Sequence, residues 1–464
     1  MVFPAGLVTA AFLTRHLGAA DYGRLSLLYA VLAPVVWIAS TTFAGRLGVA
    51  LLSEREKWSG TAAALLRANL AIGVVVAVGF GLAAEPIARA VGVPDLASLL
   101  WLGGVEIALA PVTRIHRDAL IARGDYSWPA FATAAFQLTR LALVLSLVAA
   151  GWSLQGVILA NLGARMVEGA VCLSRLRLPL GGASRGWFGP IRSQAWSLLG
   201  YALCLQLFNR ADLLMLGLLD APADDLGRYG AAQNLAQVPG LLALVLSPLI
   251  VSALRHHELS GHAGGVASLR DRSTRLAIAA WAFAGPVAGG AARLAALLFG
   301  EAYRPAGPML GLLGIGAGGG LALSVLSAHQ VAARRYATPL RAVIPMLIVA
   351  LGLQAILIPR YGGIGAAWAT AAGGVLAALI AQTFDRRAAL PARGLDLARM
   401  IGGGAAGYLT TDLVGRAGLP APFDIVAGFL VTAAALLALG LISKAEVEAL
   451  VAQLRNRPPI GEPS

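Results

Sequence analysis

Apolar stretches of about twenty residues recur along the whole chain, separated by short segments rich in Arg, Gly, Pro and Asp. A helix needs about 20 apolar residues to cross a bilayer. The pattern predicts fourteen such helices, at roughly 2–17, 25–45, 61–83, 96–113, 128–150, 155–173, 195–218, 228–252, 274–298, 306–328, 339–358, 364–384, 398–415 and 423–443. The expected fold is therefore an all-α polytopic membrane protein. The first span is short and opens on MVFPAG without a polar lead-in, so a truncated first helix is expected. A basic start followed by a small-residue cleavage site is missing, so no cleavable signal peptide is expected.

Composition supports a lipid setting. The chain is 58% hydrophobic and 13% charged, about half the charged fraction of a soluble domain. A net charge of +13 would suit nucleic acid, but the basic residues sit in short clusters between apolar runs. Membrane topology explains them better, and no nucleic-acid partner is expected. Cys172 and Cys204 fall inside apolar runs and read as packing residues.

The basic residues also orient the bundle. Alternate loops, beginning with the one that holds Arg46, carry 24 of the 36 Lys and Arg residues; the other loops carry seven, and five lie inside spans. This alternation predicts that both termini are cytoplasmic, in the cell's inner membrane.

Three pairs of segments repeat in order. LGAADYGRLSLLYA at 17–30 resembles DAPADDLGRYGAAQNLA at 220–236. Segment 88–110 resembles 297–319, and 150–160 resembles 359–369. The glycine pairs Gly23/Gly227, Gly92/Gly300 and Gly156/Gly365 are offset by 204, 208 and 209 residues. A six-helix repeat predicts two lobes related by an axis along the membrane normal, with a cavity between them. The expected divisions are a first lobe at 1–173, a cytoplasmic linker at 174–194, a second lobe at 195–384, two further helices at 398–443 and a cytoplasmic tail at 444–464.

The motifs RHLGAADYG, FNRADLLMLG followed by GRYGAAQNLAQVP, LFGEAYRPAGPML and IPRYGGIGAAWAT occur in that order. Together they resemble the bacterial polysaccharide-biosynthesis flippases, of the superfamily that also holds the MATE exporters and the lipid II flippase. The resemblance implies alternating access of an undecaprenyl-diphosphate-linked oligosaccharide, such as an O-antigen, capsule or exopolysaccharide repeat unit. It also implies membrane lipid as surroundings, and a glycan polymerase and chain-length protein as partners.

The candidate chemistry lies in polar residues at membrane depth. Gln206, Asn209, Arg210 and Asp212 cover an arc of about 160° on the seventh helix. Gln233 and Gln237 present a matching face on the eighth. With Arg140 and Arg46 these form the expected cavity for a diphosphate-sugar head group, since a guanidinium binds phosphate oxygens bidentately. Arg165 and Glu168, spaced i,i+3, read as a structural pair. Arg67 and Arg293 read as snorkelling residues near helix ends. Asp212 and Glu106 are the candidates for a coupling site taking H+ or Na+, with membrane potential as another driving force. No cofactor, metal site or catalytic residue is expected, and the P-loop pattern is absent.

Two other functions fit parts of this pattern. One is a cation-coupled small-molecule exporter of the MATE type; the helices beyond the repeat favour the lipid branch over it. The other is a membrane glycan polymerase or ligase, which needs a large external loop with catalytic Arg or His. The external loops here are short.

Overall fold

The computed structural model describes residues 2–41, 58–179, 181, 194–261, 263–384, 390–443 and 445. Arg46, His262 and the segment from 446 onward lie outside the described residues. All regular structure among the described residues is helical. The helices are α1 (Val2–Thr41), α2 (Trp58–Ala90), α3 (Leu96–Ala122), α4 (Ser127–Ala149), α5 (Ser153–Arg175), α6 (Gln194–Leu218), α7 (Ala223–Ala236) and α8 (Val238–Leu259). They continue as α9 (Ala263–Ala282), α10 (Ala284–Phe299), α11 (Gly307–Ala332), α12 (Thr338–Thr383), α13 (Leu390–Arg416) and α14 (Ala421–Ala438), with a 3-10 turn at Glu301–Ala306.

Among the described residues, ten helical stretches are long and apolar enough to cross a membrane, so the chain is a multi-pass membrane protein. Helices α6 and α13 are not among them: Gln206, Asn209, Arg210 and Asp212 dilute one, and five charged residues dilute the other. The longest helices, α1 and α12, run for 40 and 46 residues, about twice what a bilayer needs. Each is broken by a glycine in a conformation closed to most side chains. Gly18 has φ 75° and ψ 178°, and Gly362 has φ 53° and ψ −133°. Helix α7 gives way to α8 at Gln237, just before Pro239. Helix α9 gives way to α10 at Phe283, before Pro286. Pro248 lies within a continuous helix.

The internal repeat is visible in the backbone. Left-handed residues occur at Gly92 and Gly300, at Gly124 and Arg334, and at Ser153 and Gly362, pairs separated by 208, 210 and 209 positions. Loops that must turn the same way keep the same unusual φ.

The chain forms two compact units. Unit 1 comprises Met1–Asn234 with Leu298–Tyr303 and Leu351–Ala366. Within it, α1 packs on α3, α4 and α6, α2 pairs with α3, and α4 pairs with α5. An apolar core of Leu65, Leu66, Ile115, Ala119, Ala132 and Cys172 joins α2, α3, α4 and α5. Unit 2 comprises Leu235–Leu297, Arg304–Ala350 and Ala367–Ser464. Here α11 packs on α8 and α9, and α13 on α14. The glycine run of α11 is continuous helix and serves close packing: Gly319 meets the Gly374 backbone of α12, and Gly318 lies under Trp281 of α9.

Unit 2 also carries an anchor. Arg293 on α10 donates to Asp424 of α14 through Nε, and to the carbonyl of Thr411 on α13 at 2.8 Å. Its guanidinium lies over Gly415, where any Cβ would collide with it, and Asp424 is fully buried. The snorkelling role expected for Arg293 is therefore replaced by a three-helix clamp, because a carboxylate 131 positions away folds back onto it.

Candidate functional site

Unit 1 gathers its polar residues into two groups. The first joins α3 and α5. Arg165 donates to Glu168 Oε2 at 2.6 Å and to Glu106 Oε1 at 3.2 Å. Arg117 donates to Glu168 Oε1 at 2.8 Å, and the Asn161 amide donates to Glu106 Oε2. Phe136 of α4 covers the Arg165 guanidinium, 4.5 Å from the ring centroid. Two guanidinia and two carboxylates leave no net charge, and Glu106 and Glu168 are both buried. A charge at bilayer depth costs about 2.5–3.5 kcal/mol on insertion scales; mutual neutralisation is how this cluster avoids that cost. Glu106, a coupling candidate by sequence, is thus held by Arg165 and Asn161.

The second group joins α6 and α7. Asp212 is 1% exposed. Its carboxylate accepts from Tyr229 Oη at 2.7 Å, from Gln233 Nε2 at 2.8 Å and from the Leu213 backbone N–H at 2.8 Å. The same Gln233 amide reaches the Asn209 carbonyl at 3.2 Å. Every donor here is neutral, and no arginine contacts Asp212 within ion-pair distance among the described residues. Arg210, two positions before it, is half-buried and also forms no ion pair among the described residues. Gln206 is half-buried, while Asn209 and Gln237 are exposed. The structure therefore brings Gln233 onto Asp212 and does not join Arg210 to either.

Arg140, on α4, stands apart from both groups. It is half-buried, and its Nε has no hydrogen-bond partner among the described residues. The Tyr29 hydroxyl lies close enough to feel its charge. Like Arg210, it forms no ion pair among the described residues. Tyr229, Asn161 and Arg117 were not singled out in the sequence. Tyr229 was findable, since it precedes Gln233 by one helical turn and so shares its face. Asn161 and Arg117 act across helices and left no local signal.

Comparison with known proteins places this arrangement. The polysaccharide biosynthesis protein family model matches residues 12–259, more than half of the chain. The chain belongs to the polysaccharide biosynthesis protein family. A curated relative is the succinoglycan biosynthesis transport protein ExoT of Rhizobium meliloti (strain 1021), 26% identical over 339 residues. That alignment takes in 68% of this chain and 63% of ExoT, so the chain spans under two thirds of that relative's length. Among solved structures, the lipid II flippase MurJ in an inward closed conformation superposes with a TM-score of 0.76 at 14% identity, over 94% of this chain and 96% of MurJ. An inward-facing MATE-family multidrug resistance transporter superposes with a TM-score of 0.67 at 14% identity, over 83% of this chain and 94% of its own. This family member therefore has the fold shared by MurJ and the MATE transporters.

Proposed function

We propose that the protein is a flippase that carries an undecaprenyl-diphosphate-linked oligosaccharide across the inner membrane by alternating access. The observation that carries this reading is the pair Arg140 and Arg210. They lie on helices of unit 1, they are half-buried, and neither forms an ion pair among the described residues, Arg210 sharing only the longer-range field of Asp212. A permanent cation at that depth needs a counter-ion. A diphosphate supplies one, with oxygens placed for a bidentate guanidinium contact. The exposed amide of Asn209, in the same unit, suits a sugar better than hydrocarbon. Family membership and the similarity to ExoT support a saccharide substrate.

In this reading the chain crosses the membrane fourteen times. The breaks at Gly18 and Gly362 support counting α1 and α12 as two crossings each. Helices α6 and α13 then cross as well, because their polar positions face protein, cavity or substrate instead of lipid. Of the two coupling candidates, Asp212 is the one left for H+ or Na+, since Glu106 is neutralised by Arg165.

The test uses proteoliposomes with a fluorescent undecaprenyl-diphosphate oligosaccharide. Arg140→Ala and Arg210→Ala abolish translocation at unchanged yield of folded protein, and the Lys variants restore it in part, keeping the charge and losing the fork. Full translocation by both Ala variants overturns the reading. Asp212→Asn removes the dependence of the rate on an imposed pH or Na+ gradient; an unaltered dependence excludes Asp212 as the coupling group.

A further inference from the structure

The two copies of the internal repeat touch each other within unit 1, and they do so reciprocally. Gly23 on α1 and Gly227 on α7 hold equivalent positions in the repeat. A Cβ on Gly23 would collide with the carbonyl of Ala223, four residues before Gly227. A Cβ on Gly227 would collide with the carbonyl of Ala19, four residues before Gly23. Further along, Gly230 meets Ser26, again its equivalent. Such i-to-j and j-to-i contact is the mark of a two-fold interface, here formed inside one chain.

Hydrogen bonds and rings close over this seam. Asn234 Nδ2 donates to Tyr22 Oη at 2.7 Å. Tyr303 Oη donates at 3.2 Å to the carbonyl of Gly18, where α1 breaks. The two tyrosine rings meet edge to face at 6.2 Å, and they are 4% and 1% exposed. The same region includes Asp225, set against Gly362 where α12 breaks. The seam is thus flanked by backbone breaks, at Gly18 on one side and at Gln237 after α7 on the other. Short rigid pieces between such breaks can tilt with little distortion of their own hydrogen bonds. The loops involved are among those poor in basic residues, which places the seam at the outer end of the bundle.

We propose that Tyr22, Asn234 and Tyr303 form a latch over the Gly23–Gly227 seam, and that this latch is the outer gate, parting α1 from α7 once in each cycle. The proposal rests on the transport reading above. Its physical basis is that the seam is held by neutral hydrogen bonds and glycine contact, which can be broken and remade without stranding a charge. The Arg293 clamp of unit 2, by contrast, cannot open without leaving Asp424 bare.

The experiment measures the distance between spin labels at Arg24→Cys and Asp224→Cys in the full chain in lipid nanodiscs, with Cys172→Ala and Cys204→Ala to remove the native thiols. The expected result is a dominant short distance with a minor longer one. Tyr303→Phe and Asn234→Ala each raise the ratio of long to short by about five-fold, the equivalent of one hydrogen bond. Gly23→Ala, which wedges the seam, shifts it in the same direction. A single short distance that no variant changes, in protein with wild-type melting, overturns the gate. Labelling of both cysteines from the cytoplasmic side overturns it too. Translocation measured on the same samples separates the two ideas: a shifting distance without glycan movement supports the gate and removes the flippase reading, while glycan movement with a fixed distance does the reverse.

Discussion

Arg165 and Arg140 sit in neighbouring helices of the same unit, carry the same charge and lie in similarly apolar runs. One is surrounded by Glu106, Glu168 and the face of Phe136; the other forms no ion pair among the described residues and lies near the Tyr29 hydroxyl. The contrast separates two uses of an intramembrane cation. A neutralised arginine fixes helices to each other and has no capacity left for a ligand. An arginine without a carboxylate is costly to keep, and in the proposed function the substrate's diphosphate supplies the missing charge.

That distinction breaks if the two kinds of arginine respond alike to mutation. Glu168→Ala strands Arg117 and leaves Arg165 with Glu106 alone, and the expected loss is about 3–5 kcal/mol, read as a fall in the melting temperature of the detergent-solubilised protein. Arg140→Ala should leave melting near wild type and remove translocation. An equal loss of stability in both would show that Arg140 is structural after all. Gly428→Ala, which drives a methyl into the Thr411 hydroxyl, is a packing control that removes no charged group. It should cost about 1–3 kcal/mol and leave the translocation rate of the surviving protein unchanged. The smallest effect concerns a half-buried loop charge. Asp125 accepts the Trp128 backbone N–H at 3.1 Å and Arg175 Nε at 3.2 Å. The Trp128 N–H and then Arg175 hold its carboxyl below the usual 3.8. Because the folded-state value is the lower one, its stabilisation is present above the unfolded value and is lost as pH falls through the folded value. The melting temperature of wild type should therefore drop more steeply than that of Asp125→Asn below about pH 4.

Local spacing carried a good deal of this into the sequence. Arg165 and Glu168 could be placed on one face from their i,i+3 interval, and the repeat could be seen from three glycine pairs, of which Gly92 and Gly300 then share a left-handed turn. What the sequence hid was pairing between helices. Glu106 meets a residue 59 positions away, and Arg293 one 131 positions away. Such contacts depend on how each helix is rotated and how deep it sits, and hydropathy records neither. The breaks at Gly18 and Gly362 fall in the gaps left between predicted spans at 18–24 and 359–363, but the residue that breaks was not legible: φ above zero is permitted to every glycine, and packing decides which adopts it.

The Arg293 clamp sets an order of assembly. Helix α10 is synthesised well before α14, so for an interval Arg293 lies at the membrane with no carboxylate to meet. Asp424 enters last, into a place already shaped by the bare glycine surface at Gly415. The α13–α14 hairpin thereby completes the neutralisation of Arg293. A chain that stops before α14 retains a stranded guanidinium, a defect that membrane quality control can recognise and remove.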